Sequence, residues 1–318
     1  MKIAVVHGGT SSEQAISTLN AGYVKEALIR RGYQAYDVPF TRDIVARLIE
    51  TPPDAVFLCV QGKGHGDGTL QGMLDHLQIP YTGSRMAAAA VINDKILCQK
   101  LFALEGIGIP EYFVWPKAEH LAADGKKRFL ALQDKTGISF PCVAKAPTQG
   151  GSFGLALLDS LRDYEAMEMV FTYDDPILVE RFVQGIFITV GLLEKAGQIL
   201  AFPPVEVRSD SPGRLITLSN EYQAVPIALP DELTRTFQNL ALRAFRAVGA
   251  SGYGRVDFML EEGSGIPYTL EINAVPGLKP QSLFPPAAKL AGIEYDDMIE
   301  TILQNALAGG RDARCSAM

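Results

Sequence analysis

The first sixty residues alternate strand and helix with short turns between them. Ile3 to Val6 is an apolar run, a helical pattern follows from Glu13 to Arg31, and Gln34 to Val38 is a second strand. Arg42 to Glu50 forms a second helix and Ala55 to Val60 a third strand. Strands separated by helices in this way pair in parallel, and the helices cover both faces of the sheet. Sheets of this kind bind ligands at the carboxyl ends of their strands. Two loops leave those ends, HGGTSSE from His7 to Glu13 and QGKGHGDG from Gln61 to Gly68. Neither carries the G-x-G-x-x-G of a dinucleotide site and no P-loop is present, which disfavours a nicotinamide oxidoreductase. Gly8 and Gly9, followed by Thr10, Ser11 and Ser12, offer donors at a helix start that suit an anion or carboxylate. They serve equally well as a glycine turn with Ser12 as helix cap.

From Lys95 the rhythm changes. Helical stretches at Lys95 to Leu104 and Arg162 to Phe171 surround strands at Tyr112 to Trp115, Cys142 to Lys145 and Ile177 to Arg181. Lys145 ends its strand and is followed by APTQGGSFG. A lysine before a flexible Gly/Ser loop can clamp a polyphosphate; the plainer reading is a hairpin loop beside a lysine whose stem lies on apolar surface. Beyond it come strands at Ile186 to Leu193 and Ile199 to Val207, then a helix from Asp231 to Val248. Terminal helices cover Pro286 to Ala308, and GGRDARCSAM reads as a frayed tail.

The stretch with most chemistry is YGRVDFMLEEGSGIPYTLEINAVPGLKPQ, Tyr253 to Gln281. Arg255 and Asp257 stand two apart, as do Glu271 and Asn273, so each pair falls on one face of its strand. Val256, Phe258 and Ile272 point to the other face. The GSG turn predicts a hairpin that gathers all four polar residues on one surface. Two carboxylates and an amide oxygen suit a hard cation such as Mg²⁺, with Arg255 left to face anionic oxygens. A solvated hairpin with a surface salt bridge has the same alternation.

At 318 residues the chain is long enough for two or three domains, and 47% apolar with 20% charged residues is a globular composition. A net charge of −7 and a single short basic run, Lys126-Lys127-Arg128, speak against a nucleic-acid surface. Cys59, Cys98, Cys142 and Cys315 lack metal-binding spacing, and Cys59 and Cys142 lie in apolar runs as buried thiols. No apolar run approaches the length of a membrane span, and the expectation is a cytoplasmic protein with no membrane partner.

Taken together, HGGTSSE, DGTLQGMLDHLQIPYTGS, NDK, GYGRVDFML and LEINAVPGL resemble the signatures of the D-alanine–D-alanine ligase family of the ATP-grasp superfamily, over nearly the whole chain. The resemblance implies an α/β ATP-grasp fold. A Rossmann-like substrate domain would span 1–94, a central domain 95–182 and a C-terminal domain 183–309, the last two sandwiching ATP, with a flexible tail at 310–318. The implied reaction is phosphorylation of a carboxylate followed by attack of an amine to give an amide. Lys95, Lys145 and the loop residues Gly150, Gly151 and Ser152 would bind ATP phosphates, and Glu180, Arg181, Phe182 and Val183 the adenine. Asp257, Glu271 and Asn273 would hold two Mg²⁺ ions, for which Mn²⁺ can substitute. Arg255 would stabilise the transferring phosphoryl group and the Gly277 N–H the tetrahedral oxyanion. Glu13 would orient the first amino group, while Ser282, with Lys279 and Gln281 nearby, would bind the second substrate's carboxylate. Independently of the resemblance, His65 in the loop after the third strand is a candidate substrate contact or else a solvated loop histidine. The resemblance also implies a homodimer acting on an amino acid and an acceptor.

The chain departs from the family pattern on the substrate side. Gln61 stands where His is usual, Gly66 where Glu is usual, Gly151 in place of a Ser, and Phe187 in place of a ribose-binding Glu. Between Val207 and Tyr222 the family's longer, Tyr-rich loop has no counterpart. These departures imply an intact ATP half and a rebuilt acceptor half. Lys279 in particular suggests a more acidic or larger acceptor. A catalytically silent ATP-binding module fits less well, because Arg255, Asp257, Glu271 and Asn273 are all retained.

Overall fold

The computed structural model describes residues 1–62, 66–209, 215 and 222–315. Its N-terminal part holds β1 (Lys2–His7), α1 (Gln14–Arg30), β2 (Gln34–Pro39), α2 (Ile44–Glu50), β3 (Ala55–Leu58), α3 (Thr69–His76) and α4 (Met86–Ile92). The three strands form a parallel sheet in the order β2-β1-β3. Alternate residues of β1 and β3 feed two separate cores. Ile3, Val5, Ala55 and Phe57 pack with Ala21, Val24 and Leu28 of α1. Ala4, Val6, Val56 and Leu58 pack with Ile44, Leu48, Leu70 and Leu74 of α2 and α3. Burial on both faces explains why these strands read as continuous apolar runs.

The central part comprises α5 (Lys95–Leu104), β4 (Tyr112–Trp115), α6 (Lys117–His120), α7 (Gly125–Thr136), β5 (Cys142–Lys145), β6 (Leu155–Leu158), a 3₁₀ turn at Leu161–Ala166, α8 (Met167–Val170) and β7 (Ile177–Arg181). Its antiparallel sheet runs β4-β7-β5-β6 over an aromatic core of Phe113, Trp115, Phe129, Tyr164 and Phe171. The single helix expected from Arg162 to Phe171 is instead this 3₁₀ turn, capped by Ser160 and Asp163, followed by one short α-helix. Strand β6 had no sequence counterpart.

The C-terminal part carries β8 (Gly185–Lys195), β9 (Gln198–Ala201), β10 (Val205–Ser209), β11 (Tyr222–Pro226), α9 (Asp231–Ala247), β12 (Tyr253–Glu261), β13 (Pro267–Asn273), α10 (Phe284–Leu290) and α11 (Tyr295–Cys315). Its antiparallel sheet runs β11-β10-β8-β12-β13, with β9 also on β8. The strand expected from Ile199 to Val207 is two strands, because Pro203 and Pro204 lack the N–H groups that would continue the ladder. Where a tail was expected from 310, α11 continues to Cys315.

One feature crosses these divisions. Met298, Ile299, Ile302 and Leu303 of α11 lie in the same core as β1, β3 and α1. Ion pairs from Arg30 to Asp296 at 2.7 Å and from Arg31 to Glu300 at 3.5 Å fasten the same contact. No helix of the described residues is long and apolar enough to cross a membrane. The basic run at Lys126 to Arg128 lies exposed on α7, and Cys59, Cys98 and Cys142 are buried free thiols.

Candidate active site

The hairpin forms as its alternation predicts. Asp257 of β12 lies opposite Glu271 of β13, and Arg255 lies opposite Asn273. Val256, Phe258 and Leu260 turn away into a core with Phe237, Ala241 and Phe245 of α9. A register shift after Asp257 brings both Leu270 and Glu271 to the wall of the same cavity, as a bulge allows. Asp257 is almost fully buried, and its carboxylate is correspondingly well satisfied. Arg255 donates to it from Nε at 2.8 Å and from Nη2 at 2.7 Å. Thr189, opposite it on β8, donates at 2.6 Å and Asn273 Nδ2 at 3.0 Å. Burial alone would lower the Arg255 pKa, but contact with Asp257 and the field of Glu271 leave it raised and its charge fixed.

Glu271 is the second carboxylate. Lys95, the first residue of α5, lies 3.1 Å from it and also donates to the Gln149 carbonyl at 2.7 Å. Burial would push the Glu271 carboxyl up; Lys95, Lys145 and Arg255 outweigh it and hold the group below the usual carboxylate range. Lys145 is paired with the buried Glu180, which also accepts from Gln99 Nε2 at 3.0 Å. Val143 lies opposite Glu180, so Lys145, two residues on, reaches it diagonally on the same face.

Lys95, Lys145, Glu180, Asp257 and Glu271 line a cavity of about 520 Å³ between the central and C-terminal sheets, whereas Arg255, held on Asp257, is not part of its wall. Its walls include Glu180 to Val183, Phe187 and Met259, and Gly150 to Ser152 belong to the loop that joins β5 to β6. That loop is tied at both ends. Thr148 donates to Asp174 from its N–H at 2.8 Å, and the Ala146 N–H donates to the Gly154 carbonyl at 2.7 Å. Gly151 takes φ +58° and Gly154 +63°, values that glycine accepts without strain.

A smaller cavity adjoins the first, and Lys95, Gln149, Gly150 and Glu271 border both. Glu13, Gln61, Asn273 and Val275 complete it. Glu13 is buried against the Gly-rich loop so closely that a Cβ on Gly150 would lie 2.6 Å from its carboxylate. Burial pushes the Glu13 carboxyl above its ordinary 4.5; Lys95 opposes this, Glu271 adds to it, and Arg255 opposes it again. Beyond Val275 the chain turns through Gly277, where a Cβ would meet Ser282 Oγ at 2.8 Å.

The structure therefore gathers Lys95, Lys145, Gly150, Gly151, Ser152, Glu180 to Val183, Asp257 and Glu271 around one cavity, with Glu13 and Asn273 at its neighbour. Gly277 and Ser282 meet each other, but Lys279, Gln281 and Ser282 line neither cavity, and Gln281 is exposed. Arg181 borders the large cavity, yet its guanidinium is committed to Glu111 and to Glu261 and stacks over Tyr268 at 4.7 Å. His65 lies outside the described residues, as does most of the short connection between Ser209 and Tyr222. Sequence reasoning missed Thr189, the pairing of Lys145 with Glu180, and Asn20 of α1. The buried Asn20 oxygen accepts from the N–H groups of Leu278 at 3.0 Å and Lys279 at 2.9 Å. A helical wheel carried a signal for the last: Glu13, Ser17 and Asn20 recur every three or four residues on the face that also bears Val24 and Leu28.

The oxygen donors available to a metal here are two carboxylates and one amide. Asn273 spends its Nδ2 on Asp257, which leaves Oδ1 as an acceptor, so the set suits a hard divalent cation.

A family profile described as the C-terminus of D-ala D-ala ligase matches residues 101–304. A protein named D-alanine–D-alanine ligase from Geobacter sulfurreducens is 37% identical over 308 residues, covering 96% of this chain and 94% of its own length. One of the same name from Moorella thermoacetica is 36% identical, covering 96% of this chain and 99% of its own. The crystal structure of D-alanine–D-alanine ligase from Bacillus anthracis complexed with ATP superposes with a TM-score of 0.81 at 29% identity, over 98% of this chain and 99% of that one.

Proposed function

The chain belongs to the D-alanine–D-alanine ligase family of ATP-grasp enzymes, and from that premise we propose how its residues divide the work of an ATP-dependent, amide-forming ligase. The observation that carries the reading is the convergence of Lys95, Lys145, Asp257 and Glu271 on one cavity between two antiparallel sheets, with Arg255 paired to Asp257. In the structure the cations pair with the chain's own carboxylates. A polyphosphate in the cavity would add to these pairs the anionic oxygens that Lys95 and Lys145 can also reach, so that the site does not expose bare charge.

In this reading ATP occupies the large cavity, with adenine against Glu180 to Val183 and phosphates beneath Gly150 to Ser152. Lys95 and Lys145 receive the phosphates, and Glu180 acts chiefly as the counterion that aims Lys145. Asp257, Glu271 and Asn273 are the residues that would hold Mg²⁺. Bound there, the ions would neutralise phosphate charge and orient the transferred group. Arg255, locked in place by its bidentate hold on Asp257, faces the phosphoryl group as it moves to the substrate carboxylate. Glu13 accepts the amino group of the first substrate in the smaller cavity. The Gly277 N–H stabilises the oxyanion formed when the second amine attacks the activated carboxylate. Ser282, Lys279 and Gln281 meet the second substrate's carboxylate. The division at 94 and 182, the homodimer and the cytoplasmic location implied by the family belong to the same proposal.

The names of the relatives make D-alanine the expected substrate at both positions. Lys279, carried on the loop beside Gly277, favours a second reading in which the acceptor is larger or acidic. ADP release with Mg·ATP, measured against single and paired D- and L-amino acids, separates the two. D-Alanine alone should drive ADP release and dipeptide formation. Turnover only with a different acceptor would support the second reading, and no amino-acid-dependent ADP release across the panel would overturn both.

A further inference from the structure

We propose that Asn20 is a positioning residue for amide formation, holding the loop that carries Gly277, Lys279 and Ser282 in register with the N-terminal domain. This rests on the reading of Gly277 and Ser282 given above and assigns to α1 a role those contacts alone do not.

Residues 274–282 follow β13 but belong to no strand or helix. The Ser282 N–H donates to the Lys279 carbonyl at 2.8 Å and the Tyr295 hydroxyl to the Leu278 carbonyl at 2.8 Å, and the N-terminal part adds anchors on both sides of Gly277. Upstream, Gln61 Nε2 donates to the Val275 carbonyl. Downstream, one oxygen of Asn20 accepts from both Leu278 and Lys279. Pro276 and Gly277 lie between these anchors. Asn20 is 2% exposed and Leu278 fully buried, so water cannot take over the acceptor's place without the segment moving.

The same helix face meets two further loops. Ser17 Oγ, one turn back, accepts from the Gly8 N–H at 2.9 Å, and Glu13, a further turn back, lies against Gly150. Three polar residues on an otherwise apolar stripe thus meet three separate loops: the first glycine loop, the Gly-rich phosphate loop and the oxyanion loop. Buried polar groups cost stability unless each is matched, and each of these meets a loop of the N-terminal, central or C-terminal part. Asn20 acts through the backbone it holds, not through contact with reacting atoms.

The test compares the full-length enzyme carrying Asn20→Leu, which keeps the shape and removes the acceptor, with Asn20→Asp, which keeps an acceptor oxygen. Val24→Ala, a core change on the same helix, controls for lost stability. For Asn20→Leu, kcat should fall about tenfold or more while KM for ATP stays within about twofold, because the phosphate loop does not depend on this contact. Asn20→Asp should recover most of the loss, and Val24→Ala should lower the melting temperature without this kinetic pattern. If Asn20→Leu does not fold, Asn20→Ala is read by the same assays. Wild-type kinetics in the Leu or Ala variant, no rescue by Asp, or the same pattern in Val24→Ala would each overturn the positioning role. Wild-type enzyme that releases no ADP with any amino acid would sink the underlying functional reading as well, which keeps the two failures apart.

Discussion

Two neighbouring pieces of chain, residues 253–273 and residues 274–282, solve the problem of placing functional groups in opposite ways. The first is a paired hairpin. Arg255, Asp257, Glu271 and Asn273 are located by strand alternation and cross-strand register; Arg255 and Asn273 bond to Asp257, Thr189 joins from the adjoining strand, and Glu271 adds an ion pair with Lys95. The second belongs to no strand or helix and is held by side chains from other parts of the chain, Asn20 and Gln61 from far away in sequence and Tyr295 from nearby. Groups set by register resist change, because moving one means slipping a strand. Groups set by distant side chains can be re-aimed by a few substitutions. In an enzyme whose phosphate chemistry is common to a family and whose acceptor can vary, that division places the variability where it costs the fold least.

The sharpest way to break the comparison is at the hairpin. Glu271→Gln keeps the volume and removes one charge, and turnover should fall by about 10²–10³-fold while circular dichroism and the melting temperature of the unliganded enzyme stay near wild type. Activity near wild type would take Glu271 out of the phosphate machinery and make the hairpin an ordinary salt-bridged surface.

A smaller effect is expected at Glu13. Glu13→Gln should lower kcat/KM for the first amino acid by about 10–100-fold, the worth of a charge-assisted hydrogen bond, with KM for ATP little changed. Glu13 must be anionic to hold an ammonium group, and its carboxyl pKa is raised above 4.5, chiefly by burial. The acid limb of the wild-type kcat/KM profile should therefore lie at higher pH than for a free carboxylate, with activity gained as pH rises through it. In Glu13→Gln that limb should flatten; an unchanged limb would assign it to another group. The stability consequence has the opposite sign. A carboxyl whose folded pKa is raised favours the folded state at low pH, and that contribution is lost as pH rises through the folded pKa.

The smallest effect separates packing from chemistry. Arg181 is in the segment proposed to meet adenine, but its guanidinium joins Glu111 on the central sheet's side to Glu261 and Tyr268 on the hairpin. Arg181→Ala should cost about 1 kcal/mol in stability and leave KM for ATP within about twofold, because these are partly exposed contacts. A large rise in KM for ATP would show that the side chain, and not only the backbone, serves the nucleotide.

What the sequence could disclose follows the same line. Arg255, Asp257, Glu271 and Asn273 were legible because a two-residue period is a local property, readable without knowing what the strand pairs with. The parallel N-terminal sheet was legible for a similar reason, since its strands are short, apolar and separated by helices. Thr189 was not, because its importance lies in standing opposite Asp257, a register that β8 does not announce. Lys145 was singled out, but its counterion Glu180 comes from a strand 35 residues later and was read as part of the nucleotide wall. Asn20 looked like one more polar residue in an amphipathic helix. Its meaning depends on a loop more than 250 positions away.

The union of α11 with the first sheet also governs how the chain must be made. β1 and α1 leave a ribosome well before Met298, Ile299, Ile302 and Leu303, which help bury one face of that sheet. Until residues 295 onward emerge, the early sheet carries an uncovered apolar flank, a surface prone to wrong associations during synthesis. The oxyanion loop, which needs Asn20 from one end of the chain and β13 from the other, takes shape in the same late step. Chains that stop short of residue 295 should thus leave that flank of the early sheet uncovered.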